Sequence, residues 1–273
     1  MSDHDGKGYN RLSTDPCGSL WFHRFMEGMK KRMGEDWRPN QALTAPLLKR
    51  LLDDMSVDIA AADEAEAFDL TMIGVYLLFS YVLSFRGPEG LLLDIRSSEY
   101  ERYKQEDSIV VGLWGKVKGE NAARQHLLPC SNETKSGLKV RQWWHRALDL
   151  CKTIQRSRGP VMRSFDGSRM TSTSINKVFQ RYLTRAFEND RDLFPSSITS
   201  IEKVSEAYHT FRSGRRGSDT RAIDENVSKT DIYVINRWKK APEQRGAGTM
   251  PMEQRYADLK LLKKPFLRYT YAM

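Results

Sequence analysis

The sequence predicts an α+β, mainly helical fold with a small antiparallel three-stranded sheet. Three observations carry that reading. Several segments repeat apolar residues at intervals of three and four, as amphipathic helices do. The run "LTMIGVYLLFSYVLSF" at 70–85 is apolar almost throughout, the pattern of a helix buried on every side. Between residues 91 and 130 the pattern shifts to short stretches with strand character, "LLLDIRSSEY", "DSIVVGLWG" and "RQHLLPC". A polar, glycine-containing turn, "GKVKGENAA", separates the last two.

In chain order, residues 1–18 read as a flexible leader. "SLWFHRFMEGMKKRMGEDW" (19–37) is a basic amphipathic helix with Leu20, Phe22, Phe25, Met26, Met29 and Met33 at helical spacing. Thr44 and Pro46 cap and open a helix through "LLKRLLDDM". The acidic, Ala-rich stretch 53–69 is expected to be a loop into a buried helix at 68–85. After the strands, 137–158 returns to helical period with Trp143, Ala147, Leu150 and Cys151 on one side. "TSTSINKVFQRYLTRAFE" opens on capping residues and spaces Ile175, Val178, Phe179, Leu183 and Phe187 as a helix does. Short helices are expected near 203–222 and 228–240. The linker "APEQRGAGTMP" then leads to a last helical piece, 252–269.

The composition narrows the class of function. The 273 residues are 40% apolar and 29% charged, enough for a sizeable core. Lys and Arg outnumber Asp and Glu by 44 to 35, a net charge of +9, which fits a polyanion partner, most simply nucleic acid. Cys17, Cys130 and Cys151 form no CxxC pair, and no His sits at metal-ligand spacing from another His or a Cys. They read as reduced thiols of an intracellular protein, with no metal site. The polar, acidic N-terminus is no signal peptide. The apolar run of 16 residues is shorter than the roughly 20 a membrane span requires, so no membrane is expected.

Phosphate chemistry is legible in several places. A transition state with negative charge on phosphate oxygens calls for fixed cations, and arginine supplies a planar fork that keeps its charge. Arg212, with His209 three residues before it, offers a guanidinium and an imidazole on what reads as one helical face. Arg86 follows the apolar helix directly, anchored on something rigid, and Glu89 is placed to hold that guanidinium or a neighbouring group. Lys116 and Lys118 stand at a hairpin tip, where an ammonium can reach a bound backbone and protonate a departing oxygen. Tyr256 lies after the linker among cations that favour its phenolate, as a nucleophile toward phosphorus requires. Tyr233, Tyr269 and Tyr271 compete with it for that role.

The series Arg86-x-x-Glu89, a hairpin lysine, His209-x-x-Arg212, Trp238 and Tyr256 resembles the tyrosine recombinase (phage integrase-like) family, over residues 43–272. "GSRMTSTSINKVFQRYLTRAF" is similar to that family's Gly and Ser/Thr entry to the helix before the His-x-x-Arg box. The eukaryotic mobile-element branch is the nearest in character. The resemblance implies a tyrosine-recombinase-like catalytic domain at 43–273. Residues 1–42, a leader and one helix, would be the remnant of an N-terminal DNA-clamping domain. The family lysine precedes the turn glycine, which selects Lys118 before Gly119, with Lys116 as the alternative. The chain departs from the pattern in a longer gap from Trp238 to Tyr256, and in a longer segment from the lysine turn to Pro129.

The resemblance also implies a chemistry. Tyr256 attacks a scissile phosphate to give a 3′-phosphotyrosyl link. Arg86 and Arg212 bind the non-bridging oxygens and Lys118 protonates the leaving 5′-oxygen. His209 assists proton transfer at the tyrosine or donates to the phosphate, and Trp238 buttresses the pocket. No cofactor is implied. Arg215, Arg216, Arg237, Lys239 and Lys240 are expected to contact backbone phosphates of double-stranded DNA. Strand exchange implies a homotetramer on DNA, from a protein that is monomeric when free, with the tail 259–273 as a swapped contact. Its place would be inside the cell, in the nucleus of a eukaryote or otherwise the cytoplasm. The alternatives are a type IB topoisomerase-like relaxing enzyme and a non-catalytic DNA-binding remnant.

Overall fold

The computed structural model describes residues 41–95, 108–116, 123–210, 212–236 and 259–273, all within one unit, Asn40–Met273. The expected helix at 19–37 lies outside the described residues. Those described are mainly helical, with an open three-stranded antiparallel sheet of order β1-β2-β3.

Helix α1 (Ala45–Ala61) starts as the sequence requires: Thr44 Oγ1 accepts from the Leu47 N–H at 3.4 Å and Pro46 stands in the first turn. It runs through most of the acidic stretch expected to be a loop. Lys49–Asp53 and Arg50–Asp54, at i,i+4, turn the carboxylates into helix-surface partners. Asp63 then caps α2 (Glu64–Val82), accepting from the Glu66 N–H at 2.9 Å. The acidic composition thus marks a helix–helix junction, and the buried helix begins four residues earlier than expected.

Helix α2 is the axis of the fold. Every residue from Leu70 to Val82 is buried, which is why its sequence shows no polar face. It is long and apolar enough to cross a membrane, yet 78% of its apolar window is buried inside the protein. Packed on it are α1, α3 (Val140–Thr153) and α6 (Ser213–Asp224). Phe79 meets Trp144 of α3 edge-on, with ring centroids 5.5 Å apart. Each large side chain buried here contributes about 1.5–3 kcal/mol. The helix ends in a Schellman turn, with the Phe85 N–H on the Ser80 carbonyl and the Ser84 N–H on the Tyr81 carbonyl, both 3.2 Å. Ser84 takes the left-handed conformation there, at φ +50°.

A 3-10 turn over Gly87–Leu92 takes in the first two residues of the stretch 91–100 expected as a strand, and β1 is only Leu93–Asp94 among the described residues. Strand β2 (Ser108–Gly115) pairs with β3 (Arg124–Ser131) in the register Ile109↔Cys130, Val111↔Leu128 and Leu113↔His126. Both faces of β2 are covered from Ser108 to Leu113, so it reads as continuously apolar rather than alternating.

Thr171 caps α4 (Ser172–Asn189), accepting from the Ser174 N–H at 3.1 Å. The helix expected at 203–222 is two helices, α5 (Ile201–Ala207) and α6, parted by a turn. The reason is that α6 has no large apolar stripe. Its buried face is Ser213, Gly214, Gly217, Ser218 and Ala222, small residues that carry no hydrophobic period. Helix α7 (Lys229–Asn236) follows, and α8 (Leu259–Ala272) covers the described part of the last helical piece and continues almost to the chain end, residues 252–258 lying outside the described residues. Helix α8, expected as a contact to be swapped between subunits, lies against β3, α7 and α6 of its own chain. Phe266, Tyr269, Thr270 and Met273 are buried there.

Candidate functional site

The described part of the site is built where the end of α2 meets the start of α6. The first turn of α6 approaches α2 closely: a Cβ added to Gly214 would sit 3.5 Å from the Ser80 carbonyl carbon and oxygen. Gly217 is tighter, because its Cα faces the Leu43 carbonyl with no room for a side chain. The Leu43 N–H donates to the Ser213 carbonyl at 2.9 Å, stitching the lead-in to α1 onto the same turn. Arg86, six residues beyond Ser80, and Arg212, two residues before Gly214, therefore leave from backbone segments that pack on each other.

Arg86 is half-buried and its main chain is pinned. Its N–H donates to Glu89 Oε2 at 2.9 Å, and the Glu89 N–H returns to its carbonyl at 2.7 Å. Glu89 is 4% exposed. Glu89, expected to hold the Arg86 guanidinium or a neighbouring group, grips the Arg86 main-chain amide through its Oε2. One residue on, the Gly87 carbonyl accepts from the buried Tyr76 hydroxyl at 2.8 Å. The guanidinium thus projects from a short segment fixed at both ends.

His209 and Arg212 share a turn rather than a helical face. The His209 carbonyl accepts from the N–H groups of Arg212 at 3.1 Å and Ser213 at 2.9 Å, and the His209 N–H donates to Ser213 Oγ at 3.0 Å. Neighbouring bonds fix this turn to α4: Gln180 Nε2 donates to the Tyr208 carbonyl at 2.6 Å and the Thr210 N–H to Asn176 Oδ1 at 3.3 Å. Both side chains are exposed, and Arg212 is the residue before the first turn of α6, whose amide groups add positive potential there. An imidazole and a guanidinium carried on a pinned backbone turn at a helix N-terminus can receive an anionic oxygen.

The other expected residues fall differently. Lys116 is exposed at the end of β2, while Lys118, Trp238, Tyr256, Arg237, Lys239 and Lys240 lie outside the described residues. Arg216 is exposed on α6. Arg215, read as a phosphate contact, turns inward. Its Nη1 donates to the Ser84 carbonyl and its Nη2 to the Asn236 carbonyl, both at 3.2 Å, so this guanidinium ties α2 to α7. Sequence spacing cannot separate it from Arg216, since neighbours on a helix differ only in which way the helix faces.

Burial removes several tyrosines from contention as nucleophile. Tyr76, Tyr81 and Tyr269 are buried and their phenols are pushed well above the ordinary range by desolvation. Tyr182 and Tyr208 are pushed up to about 12 by the same cause. Tyr271 is exposed on α8.

Sequence reasoning missed a polar cluster at this junction, Ser84, Ser218, Asp219, Asn236 and Tyr269, which joins α2, α6, α7 and α8. The one available signal was the pair Gly214 and Gly217, whose spacing of three marks a close helix approach. No family model matches the chain, and no curated protein matches its sequence.

Proposed function

We propose that the protein is a tyrosine recombinase of a mobile element, which cuts and rejoins double-stranded DNA through a 3′-phosphotyrosyl intermediate. The observation that carries this reading is the junction of α2 and α6. There Arg86, braced by buried Glu89, and the exposed His209-x-x-Arg212 turn leave from packed segments more than 120 positions apart in sequence. Two guanidiniums on pinned backbone segments, with an imidazole, suit a phosphate oxyanion.

In the proposed reaction the Tyr256 oxygen attacks the scissile phosphorus as the bond to the 5′-oxygen breaks. His209 assists removal of the phenolic proton, and Lys118, or Lys116 in its place, protonates the departing 5′-oxygen. Arg86 and Arg212 stabilise the charge that builds on the non-bridging oxygens. Losing one such donor costs about 3 kcal/mol, roughly a hundredfold in rate. Trp238 buttresses the pocket through its ring and N–H. The covalent link conserves the bond, so a 5′-hydroxyl can displace the tyrosine and reseal a strand. Arg216, with Arg237, Lys239 and Lys240, would contact backbone phosphates, which makes binding weaken steeply with salt. A homotetramer on DNA, inside the cell, completes the reading.

The test is a nicked suicide duplex, from which a covalent protein–DNA adduct cannot religate. An adduct mapped by mass spectrometry to Tyr256, and absent from Tyr256→Phe, is the expected result. An adduct on another residue, or none, refutes the assignment. Relaxation of any supercoiled plasmid by the monomer without strand exchange would indicate a topoisomerase-like enzyme. DNA binding with no adduct would indicate a non-catalytic remnant.

A further inference from the structure

Three other segments converge on the carboxylate of Asp219, on α6. Around its Oδ1 stand Asn236 Nδ2 at 2.6 Å, the Tyr269 hydroxyl at 3.0 Å and Ser84 Oγ at 3.2 Å. Ser84 Oγ also lies 2.7 Å from Asn236 Oδ1, so its single proton is shared between two acceptors. Tyr269 gives its proton to Asp219 and takes one from Ser218 Oγ at 2.5 Å. Arg215 closes the cluster from the side, with Nε 3.9 Å from Asp219 Oδ2 and its two terminal nitrogens on the carbonyls of Ser84 and Asn236. Ser84, Ser218, Asn236 and Tyr269 are fully buried.

Each of these residues stands next to a part of the candidate site in the chain. Ser84 precedes Arg86 by two residues, and Asp219 lies on the helix that Arg212 opens. Asn236 ends α7 two residues before Trp238, and Tyr269 is on the helix that follows Tyr256 in sequence. Apolar contacts tolerate sliding, whereas a buried polar cluster is stable only when every donor meets its acceptor. Such a cluster fixes the relative placement of its segments more tightly than packing alone. Ser84 holds a left-handed backbone that glycine adopts more readily, and its side chain supplies the hydroxyl that glycine would lack.

We propose that Asp219 and Asn236 are positioning residues for strand cleavage: with Ser84 and Tyr269 they lock α2, α6, α7 and α8, and with them the segments bearing Arg86 and Arg212, into one arrangement. This inference rests on the recombinase reading. None of these side chains is proposed to touch DNA.

The experiment measures single-turnover adduct formation on the nicked duplex, at saturating DNA and as a function of DNA concentration. Asp219→Asn, Asn236→Asp and Tyr269→Phe each keep side-chain volume nearly constant. The cleavage rate at saturation should fall at least tenfold in Asp219→Asn and in Asn236→Asp, with the half-saturating DNA concentration within about twofold of wild type. The double variant Asp219→Asn/Asn236→Asp, which exchanges donor and acceptor, should recover most of that rate. Tyr269→Phe, the mildest change, should show a smaller loss of the same kind. Single variants that cleave at the wild-type rate overturn the positioning role and leave the recombinase reading standing. So does a rate loss that tracks lowered melting temperature and is not recovered by the exchange. A wild-type protein that forms no adduct overturns the recombinase reading and this inference with it.

Discussion

Replacing Gly217 by alanine should force α6 away from the segment it packs on. A Cβ at that position would lie 1.7 Å from the Leu43 carbonyl oxygen, 2.7 Å from its carbon and 3.0 Å from Tyr81 Cε2. Carbon–oxygen contacts begin at about 3.3 Å, so helix and chain must part by roughly 1.5 Å. The obstacle is backbone, with no rotamer to yield, and Leu43 is itself bonded to the Ser213 carbonyl at 2.9 Å. Overpacking costs about 1–3 kcal/mol where side chains can adjust, and we expect about 3 kcal/mol or more here. For a protein of this size that lowers Tm by about 6–12 °C. Gly214 is the internal control. Its added Cβ would meet Ser80 at 3.5 Å, an ordinary contact, and alanine in a helix gains up to about 1 kcal/mol over glycine. Thermal unfolding followed by far-ultraviolet circular dichroism reads both variants. A Gly217→Ala protein that melts with the wild type would refute the close approach of α6, and with it the packing that relates Arg212 to Arg86.

Two further outcomes follow from the ion pairs. Asp58 accepts from Arg185 Nη1 at 2.9 Å and from the Tyr182 hydroxyl at 2.7 Å, and Arg185 foremost holds its carboxyl below the usual value of 3.8. A carboxyl depressed in the folded state stabilises above its unfolded value and loses that contribution as pH falls through the folded one. Unfolding titrations should therefore show stability declining below about pH 4, with Asp58→Asn flattening that limb at a cost of about 1 kcal/mol at neutral pH, a figure reduced by solvent screening. Arg268 forks onto Asp231, with Nε to Oδ2 at 2.9 Å and Nη2 to Oδ1 at 3.0 Å, and the Asp231 side chain is 6% exposed. Arg268→Ala leaves that carboxylate without its fork and should cost about 1–2 kcal/mol, seen as faster amide exchange over 264–273. Unchanged exchange there would show that α8 is held by its apolar contacts alone.

The helix with Thr44 and Pro46 at its start, the Thr171 cap and the two long strands β2 and β3 were legible because each is written locally. A cap, a period and a turn residue lie within a few positions of the structure they specify. The extent of α1 was not, because in its acidic end the apolar period is thinned to Met55 and Ile59, while the carboxylates find partners one turn back on the helix and, for Asp58, on Arg185 of α4. The boundary of α6 was hidden for a related reason. Its buried face is made of serines, glycines and an alanine, whose signal is the absence of bulk.

Of the candidate site, the sequence by itself determined the residue types and their order: two arginines, two lysines between them, an imidazole and a later tyrosine, types suited to phosphate. Tertiary structure alone decided which charges face out. Arg215 and Arg216 are adjacent and chemically identical, yet one is spent on the carbonyls of Ser84 and Asn236 and the other is exposed on α6. The difference arises from the orientation of a helix whose packing depends on Gly217 and Leu43, 174 positions apart in the chain, and no local pattern encodes a contact at that separation.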